Sequence, residues 1–179
     1  MVKEHYEEAK RTWLCMGCLR PKQPFHGIDA HIQEQTPSDP PLNFVNGCGL
    51  GIIRTDFLNQ LGSDVVARDL CIGRLLGPDK RQIEEWVTFR GRHSLIVRGS
   101  KNVACRHCTE CGRFVYFAMG KKYLYPMPRR DVSVFDSGWG GLVVTESVYR
   151  GLNVGCWRKM YADKLPVVNE PFDSLGVLM

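Results

Sequence analysis

Four cysteines stand in two Cys-x-x-Cys pairs that lie roughly half of the chain apart. The pairs are Cys15 with Cys18 and Cys108 with Cys111, and Gly112 follows the second pair. Each pair bends the backbone so that both sulfurs face one ion, and soft thiolates suit Zn²⁺. A site closed by four thiolates is typical of structural zinc, because a catalytic zinc keeps one position open for water. The sequence therefore predicts one structural zinc ion that joins an N-terminal segment to the middle of the chain.

Two neighbours of the second pair leave its ligand set open. Cys105 precedes Cys108 by three residues and His107 lies between them, so either could replace Cys111 as a ligand. Gly112 favours Cys111, because a glycine after the second cysteine relieves the tight backbone there. A redox role is disfavoured, since it would need one such pair at the start of a helix rather than two pairs.

The rest of the sequence carries no recognisable catalytic set. Cys48, Cys71 and Cys156 lie among apolar residues or glycines and are predicted to be buried thiols. The histidines form no motif that would activate a nucleophile. The glycine-rich run 138–141 lacks the lysine and hydroxyl residue of a phosphate-binding loop, and no nucleophile elbow or zinc-protease helix is present. We therefore do not predict an enzyme.

Strands and short helices must position the cysteines. Five prolines from Pro21 to Pro41 exclude a long helix from residues 19–47, and this segment is expected to be extended and rich in loops. Residues 51–54 predict a strand, and Thr55 then caps a short helix over 56–61. The same order recurs later in the chain, with a strand over residues 142–144, a cap at Thr145 and a short helix over residues 146–152.

Further strands are predicted from β-branched and aromatic runs. Residues 65–76 contain one strand, residues 86–89 and 94–97 form a hairpin around Gly91, and residues 114–118 give the strongest strand pattern. The expected fold class is α+β, containing a zinc ribbon, with antiparallel strands and two short helices.

A short pattern that occurs twice in the sequence predicts an internal duplication. Residues 51–56 have the form glycine, three strand residues, threonine and an acid, and residues 141–146 repeat this form 90 residues later. We expect one compact domain over 1–179, built from pseudo-repeat halves 1–92 and 93–179 that share the zinc site.

The register of this repeat bears on the ligands. A separation of 90 residues places Cys15 and Cys18 on Cys105 and Cys108. Pairing them with Cys108 and Cys111 needs a further shift of three residues. The repeated pattern alone therefore leaves Cys105 as an alternative to Cys111 in the ligand set.

Composition bounds the class of protein. The chain has 179 residues, of which 44% are hydrophobic and 24% charged, as in ordinary globular domains. No apolar run approaches the roughly 18 residues of a membrane span, and the first residues contain no apolar signal core. A cytoplasmic protein is expected, in which eight cysteines favour metal ligands and free thiols over disulfides.

The positive charge is concentrated in one segment. The net charge is +5 and the pI is about 8.8. Nucleic-acid-binding domains typically have a pI above 9, so this chain falls short of that range. Between Val97 and Arg130, however, the sequence contains eight basic residues and only one acidic residue, Glu110. These residues either balance a negative zinc–thiolate centre or form a partner surface. They are Arg98, Lys101, Arg106, Arg113, Lys121, Lys122, Arg129 and Arg130.

Nucleic-acid binding is the alternative function. Basic and aromatic residues alternate between Arg113 and Tyr125, and zinc ribbons often bind nucleic acid through phosphate contacts and base stacking. The same alternation fits a half-buried strand equally well.

The whole pattern resembles the double-CXXCG motif family of small bacterial proteins. The resemblance rests on the two cysteine pairs, on Gly112, and on the two strand–helix units that begin at Gly51 and Gly141. It covers about residues 13–160. The first pair departs from the family pattern because Leu19 follows it instead of glycine, and Cys105 is an additional cysteine.

Members of that family look like immunity proteins of bacterial polymorphic-toxin and contact-dependent competition systems. The resemblance therefore implies a cytoplasmic antidote that binds one cognate toxin domain. The eight basic residues are the first candidate surface for that domain, since charge complementarity speeds capture. Asp56, Asp64 and Asp69, or the loop 28–47, are the alternatives.

Overall fold

A computed structural model describes residues 11–12, 14–18, 22, 27–32, 40–44, 50–93, 95, 97–112, 114–125, 127–137, 141–156 and 162–170, which are called the described part of the chain. For residues 102–106, 114–118 and 156 only the backbone belongs to it. Nine strands and three short helices have their bounds in this part. In chain order they are β1 (Ala30–His31), β2 (Leu42–Phe44), β3 (Gly51–Arg54), α1 (Thr55–Asn59), α2 (Ser63–Asp69), β4 (Leu70–Leu76), β5 (Gln82–Gly91), β6 (Val97–His107), β7 (Phe114–Leu124), β8 (Val134–Asp136), β9 (Leu142–Val144) and α3 (Glu146–Gly151).

A mixed five-stranded sheet is the largest element. Its strand order is β1-β4-β5-β3-β2, and only β1 with β4 is parallel. The apolar and β-branched residues of β3 and β4 suit a pleated, half-buried surface. These strands and the helices establish the predicted α+β class.

The hydrophobic core lies where α1 and α2 pack on this sheet. Ile53 of β3 and Phe89 of β5 are almost wholly buried, and Phe57 of α1 joins them. Val134 of β8 belongs to the same cluster, so residues from both predicted halves contribute to one core. Phe44 meets Phe89 edge to face at 5.5 Å between ring centroids, a favourable aromatic geometry.

Three helices have their bounds in the described part of the chain, where two were predicted. The first and last match the predicted strand–helix units, although α1 begins at Thr55 itself and Arg54 is its N-cap. The additional helix, α2, overlaps the start of the segment 65–76, which was predicted to contain a strand. Asp64 lies in its first turn and Arg68 in its last, so both charges complement the helix dipole. The strand follows as β4.

The hairpin predicted around Gly91 is wrong. Strand β5 lies inside the sheet with β4 on one side and β3 on the other, so both of its edges are occupied. Gly91 instead permits a close approach of β8, because a Cβ atom there would lie 2.5 Å from the Asp136 nitrogen. The next strand, β6, pairs with β7 in a separate two-stranded hairpin.

This β6–β7 hairpin, called the arm, extends from the core to the second cysteine pair. Its first residues, Val97 and Arg98, are buried, and its strands are 11 residues long. At about 3.3 Å per residue the arm spans roughly 33 Å. Strand β7 contains the predicted strand 114–118.

Two hairpins of the fold, β2–β3 and β8–β9, are related by the same three-residue shift that separates the cysteine pairs from the strand–helix units. In the β2–β3 hairpin Leu42 pairs with Ile53, and in the β8–β9 hairpin Phe135 pairs with Val143. The first members of these pairs are 93 residues apart and the second members 90. In this alignment the turn of the later hairpin is three residues shorter, and the strand residues before it correspond at a separation of 93 residues.

The cysteine pairs obey the same register. Cys15 and Cys18 lie 93 residues before Cys108 and Cys111. The parallel pairing of β1 with β4 also has a counterpart, since Leu124 bridges Val167 in parallel. A cysteine pair, a parallel bridge, a hairpin and a helix thus follow in the same order in the earlier and the later part of the chain. The duplication itself, with halves 1–92 and 93–179, stays a prediction.

One glycine in each hairpin provides a test of this packing. A Cβ atom on Gly51 would overlap the ring of Phe89, whereas one on Gly141 would lie 3.6 Å from the Ser137 hydroxyl, an ordinary contact. Gly51→Ala is expected to lower the free energy of unfolding by about 1–3 kcal/mol through overpacking. Gly141→Ala, its counterpart in the repeat, is expected to stay within about 0.5 kcal/mol of the parent. Urea unfolding of both variants measures the difference, and equal losses would contradict the packing.

Candidate metal centre

The second cysteine pair is the turn of the arm. Strand β6 ends at His107 and β7 begins at Phe114, so Cys108 and Cys111 lie at the tip. The Gly112 nitrogen donates to the Cys108 carbonyl oxygen at 2.8 Å, and Gly112 has a φ of 69°. Glycine reaches this left-handed region without steric cost. The predicted reason for the glycine is confirmed.

The first cysteine pair lies against this tip. Leu14 and Cys15 are each 4% exposed, and a turn at residues 16–18 carries the chain to Cys18. A segment separated by 93 residues of sequence is thus held at the end of the arm.

The four sulfur atoms form a compact cage. They all lie within 4.8 Å of one another. The Cys15 and Cys108 sulfurs are 3.5 Å apart, and those of Cys18 and Cys111 are 3.6 Å apart. A tetrahedron with zinc–sulfur bonds of about 2.3 Å has edges of about 3.8 Å. The cage could therefore hold one metal ion, and its size and donor set fit zinc.

The cage has an inner and an outer side. Cys15 and Cys108 are buried, Cys18 is half-buried and Cys111 is exposed. Burial raises the pKa of the Cys15 thiol, because ionisation would place charge away from water. A divalent cation would offset that cost by stabilising the thiolates.

The other metal-ligand candidates, Cys105 and His107, belong to strand β6, which ends just before Cys108. Cys105 is on β6, where its backbone pairs with that of Tyr116, and its side chain lies outside the described part. His107 is exposed and does not belong to the described four-residue group. If the predicted repeat has the 93-residue register of Leu42 and Phe135, Cys18 corresponds to Cys111. Cys71, predicted as an inert thiol, is buried at 2% exposure on β4.

Sequence reasoning missed two residues of the site, Gly17 and Glu110. Each lies between the two cysteines of its pair. The Gly17 nitrogen donates to Glu110 Oε2 at 2.9 Å, and the same oxygen lies 3.6 Å from the Cys15 sulfur. Positions between paired cysteines carry no fixed residue type, so the spacing gave no signal for this contact.

The structure separates the eight predicted partner-binding residues. Arg98 is 1% exposed, with its guanidinium 5.4 Å from the Tyr125 ring centroid, so it is part of the interior rather than of a docking surface. Arg129 is exposed and pairs with Asp131 through two hydrogen bonds. Arg130 is exposed, and the side chains of Arg106 and Arg113 lie outside the described part.

The remaining three, Lys101, Lys121 and Lys122, gather at a bulge of the arm. The register of the strand pairing shifts between Gly99 and Lys101, and the backbone nitrogen of Lys121 donates to the Ser100 hydroxyl at 3.1 Å. All three lysines are exposed. We call these three residues the bulge lysines because of their position on the arm. Within the described part of the chain, none of their ammonium groups lies within ion-pair distance of a carboxylate.

The alternative acidic residues have structural partners or remain exposed. Asp69 is fully buried and bonded to β8. Asp56 accepts a hydrogen bond from the Phe57 nitrogen and pairs with Arg54. Asp64 is exposed in the first turn of α2.

Comparisons with known proteins gave no relative. No protein-family model matches the chain, and no curated protein and no solved structure matches it. Among the helices of the described part, none has the length and apolar character needed to cross a membrane.

Proposed function

We propose that the cysteine cage holds one structural zinc ion. All four donors are thiolates of the chain itself, so no position remains for water or a substrate. The ion would supply a fixed tetrahedral centre that ties the N-terminal segment to the tip of the arm. The residues that hold it are Cys15, Cys18, Cys108 and Cys111.

We propose further that the protein is an immunity protein that binds and neutralises a cognate bacterial toxin domain. The observation that carries this proposal is the assembly of both cysteine pairs into one cage, within a repeated layout of the order that the double-CXXCG resemblance implies. An immunity protein works by occupying a surface and needs no catalytic residues. The bulge lysines give this chain an uncompensated positive surface for an acidic face of the toxin.

Nucleic-acid binding is the runner-up and receives less support. Tyr123 is 1% exposed and is not available to stack on a base, which is the contact that single-strand binders add to phosphate charge. Tyr125 is half-buried, and the Arg98 guanidinium lies 5.4 Å from its ring centroid, so one face of that ring is already in contact with the chain. The bulge lysines alone would give weak binding that depends steeply on salt.

Co-expression with the neighbouring open reading frame tests the immunity proposal. We expect that frame to be toxic alone and harmless together with this protein, and we expect the two purified proteins to form a complex. A neighbour that is harmless alone removes the basis of the proposal. Tight binding of labelled DNA or RNA at two salt concentrations would favour the runner-up instead.

Charge reversal tests the surface. Lys101→Glu, Lys121→Glu and Lys122→Glu combined are expected to slow association with the toxin domain about 10-fold or more, because opposite charges steer encounter. Replacing Arg81, Arg92 and Lys164 by glutamate is the matched control, since these exposed residues lie outside the arm and give the same change in net charge. Equal slowing in both variants would assign the effect to net charge and contradict the bulge surface.

A further inference from the structure

The two cysteine pairs contact each other through a hydrogen bond that involves no sulfur. Glu110 belongs to the second pair, and its Oε2 atom accepts a hydrogen bond from the Gly17 nitrogen of the first pair at 2.9 Å. The donor and acceptor are 93 residues apart in sequence. Glu110 thus connects the two pairs without being a predicted metal ligand.

Gly17 makes the contact possible because it has no side chain. A Cβ atom there would lie 3.0 Å from the Cys108 sulfur and 3.1 Å from the Glu110 Cδ atom. Both distances are tighter than ordinary van der Waals contact. The backbone of the first pair therefore rests directly on a ligand sulfur and on the glutamate of the second pair.

The charge of Glu110 cannot be the reason for its position. Four thiolates outweigh one divalent cation, so the loaded cage is negative, and a carboxylate beside it is repelled. Glu110 Oε2 is only 3.6 Å from the Cys15 sulfur. What favours the contact is the oxygen acceptor, which satisfies a backbone donor in the tight turn of the first pair.

We propose that Glu110 is a positioning residue of the metal site, which fixes the first cysteine pair against the second and thereby sets the zinc affinity. Partners outside the ligand shell typically contribute 10–100-fold in metal affinity by orienting the ligands. This inference rests on the proposed zinc ion and is independent of the proposed toxin.

Two substitutions separate the acceptor from the charge. Glu110→Ala removes both and is expected to weaken zinc binding about 10–100-fold in competition with a chromophoric chelator. Glu110→Gln keeps an acceptor oxygen and removes the negative charge, so it is expected to bind zinc at least as tightly as the parent. Thr109→Ala, in the same turn and exposed, is the control and should match the parent.

Two further measurements report on position rather than on overall stability. Co²⁺ in place of zinc gives thiolate charge-transfer and d–d bands, which are expected to change in Glu110→Ala and to return in Glu110→Gln. Amide hydrogen exchange at Gly17 should be faster in Glu110→Ala than in the parent, and unchanged in Glu110→Gln and Thr109→Ala.

The outcomes distinguish this inference from the metal proposal. If the parent binds no zinc, the metal proposal fails. If the parent binds zinc and Glu110→Ala binds it equally well, only the positioning role fails. A Glu110→Gln variant as weak as Glu110→Ala would also overturn the role assigned here, because it would make the charge essential.

Discussion

Serine at any one of the four clustered cysteines is expected to remove the single zinc ion of each chain. Cys18→Ser and Cys111→Ser are the best first tests, because these residues form the exposed side of the cage and serine there disturbs little packing. Serine oxygen is a poor substitute for thiolate at zinc, and three sulfurs leave the shell open. Elemental analysis of the purified proteins measures the loss.

Three control variants decide the ligand set. Cys105→Ser and His107→Ala are expected to retain one zinc per chain, since neither belongs to the cage found in the described part of the chain. Cys71→Ser is expected to retain it as well, because Cys71 lies on β4 within the sheet. Zinc lost from Cys105→Ser but kept in Cys111→Ser would reverse the assignment. A parent protein without zinc would end it.

Removal of the metal is expected to reduce stability by a predictable amount. An ion that binds only the folded chain contributes about 4 kcal/mol to the free energy of unfolding when its free concentration is about 1,000 times Kd. Chelation should therefore lower the unfolding midpoint sharply in the parent and hardly at all in Cys18→Ser.

The loss should also be uneven along the chain. The cage lies at the tip of the arm, while the core cluster around Ile53 and Phe89 lies on the sheet. Amide exchange after chelation is expected to accelerate first at residues 14–18 and 107–112. Uniform acceleration across β3 and β5 would mean that the metal holds the whole fold rather than the arm.

Each cysteine pair could be recognised in the sequence because the geometry within a pair is local. Two residues between paired cysteines fix both sulfurs on one side of a turn, and Gly112 marks the left-handed residue that ends the turn. The strand–helix units were predictable for the same reason, since a strand pattern and a capping residue are short-range signals. Contacts such as that of Glu110 with Gly17 join residues far apart in sequence and leave no local pattern.

Elements whose conformation depends on distant partners were predicted wrongly. Gly91 was interpreted as a turn, but its missing side chain admits β8. Arg98 was assigned to the surface by its charge, although its long side chain is buried beside Tyr125. In each case the tertiary environment outweighed the intrinsic preference.

Asp69 connects α2 to β8 and so joins the two predicted halves through a buried carboxylate. Its side chain is fully buried at the end of α2. It accepts hydrogen bonds from the nitrogens of Ser133 and Val134 at 2.7 and 3.0 Å. Arg68 donates two more, at 2.7 and 2.8 Å. Burial alone would raise the pKa of Asp69, but these four hydrogen bonds outweigh it and the pKa lies below its ordinary value.

Asp69→Asn is therefore expected to lower the free energy of unfolding by about 3 kcal/mol at neutral pH. This is the lower end of the range for removing one partner of a buried pair, because the Arg68 side chain is 46% exposed and can be rehydrated. Asp131→Asn is the matched control: that aspartate also pairs with an arginine, but it is 65% exposed and its loss should cost less than about 1 kcal/mol.

The pH dependence gives the second part of this prediction. Because the pKa of Asp69 is lowered on folding, its contribution is complete above the unfolded pKa of about 3.9 and is lost as the pH falls toward the folded value. The difference in unfolding free energy between the parent and Asp69→Asn should therefore be constant from neutral pH down to about pH 5 and shrink below that. Urea unfolding of both proteins at matched pH and zinc concentration measures this difference and cancels the protonation of the cysteines, which affects both equally. A difference that stays constant to about pH 3, or one no larger than that of Asp131→Asn, would show that the buried carboxylate does not hold the two halves together.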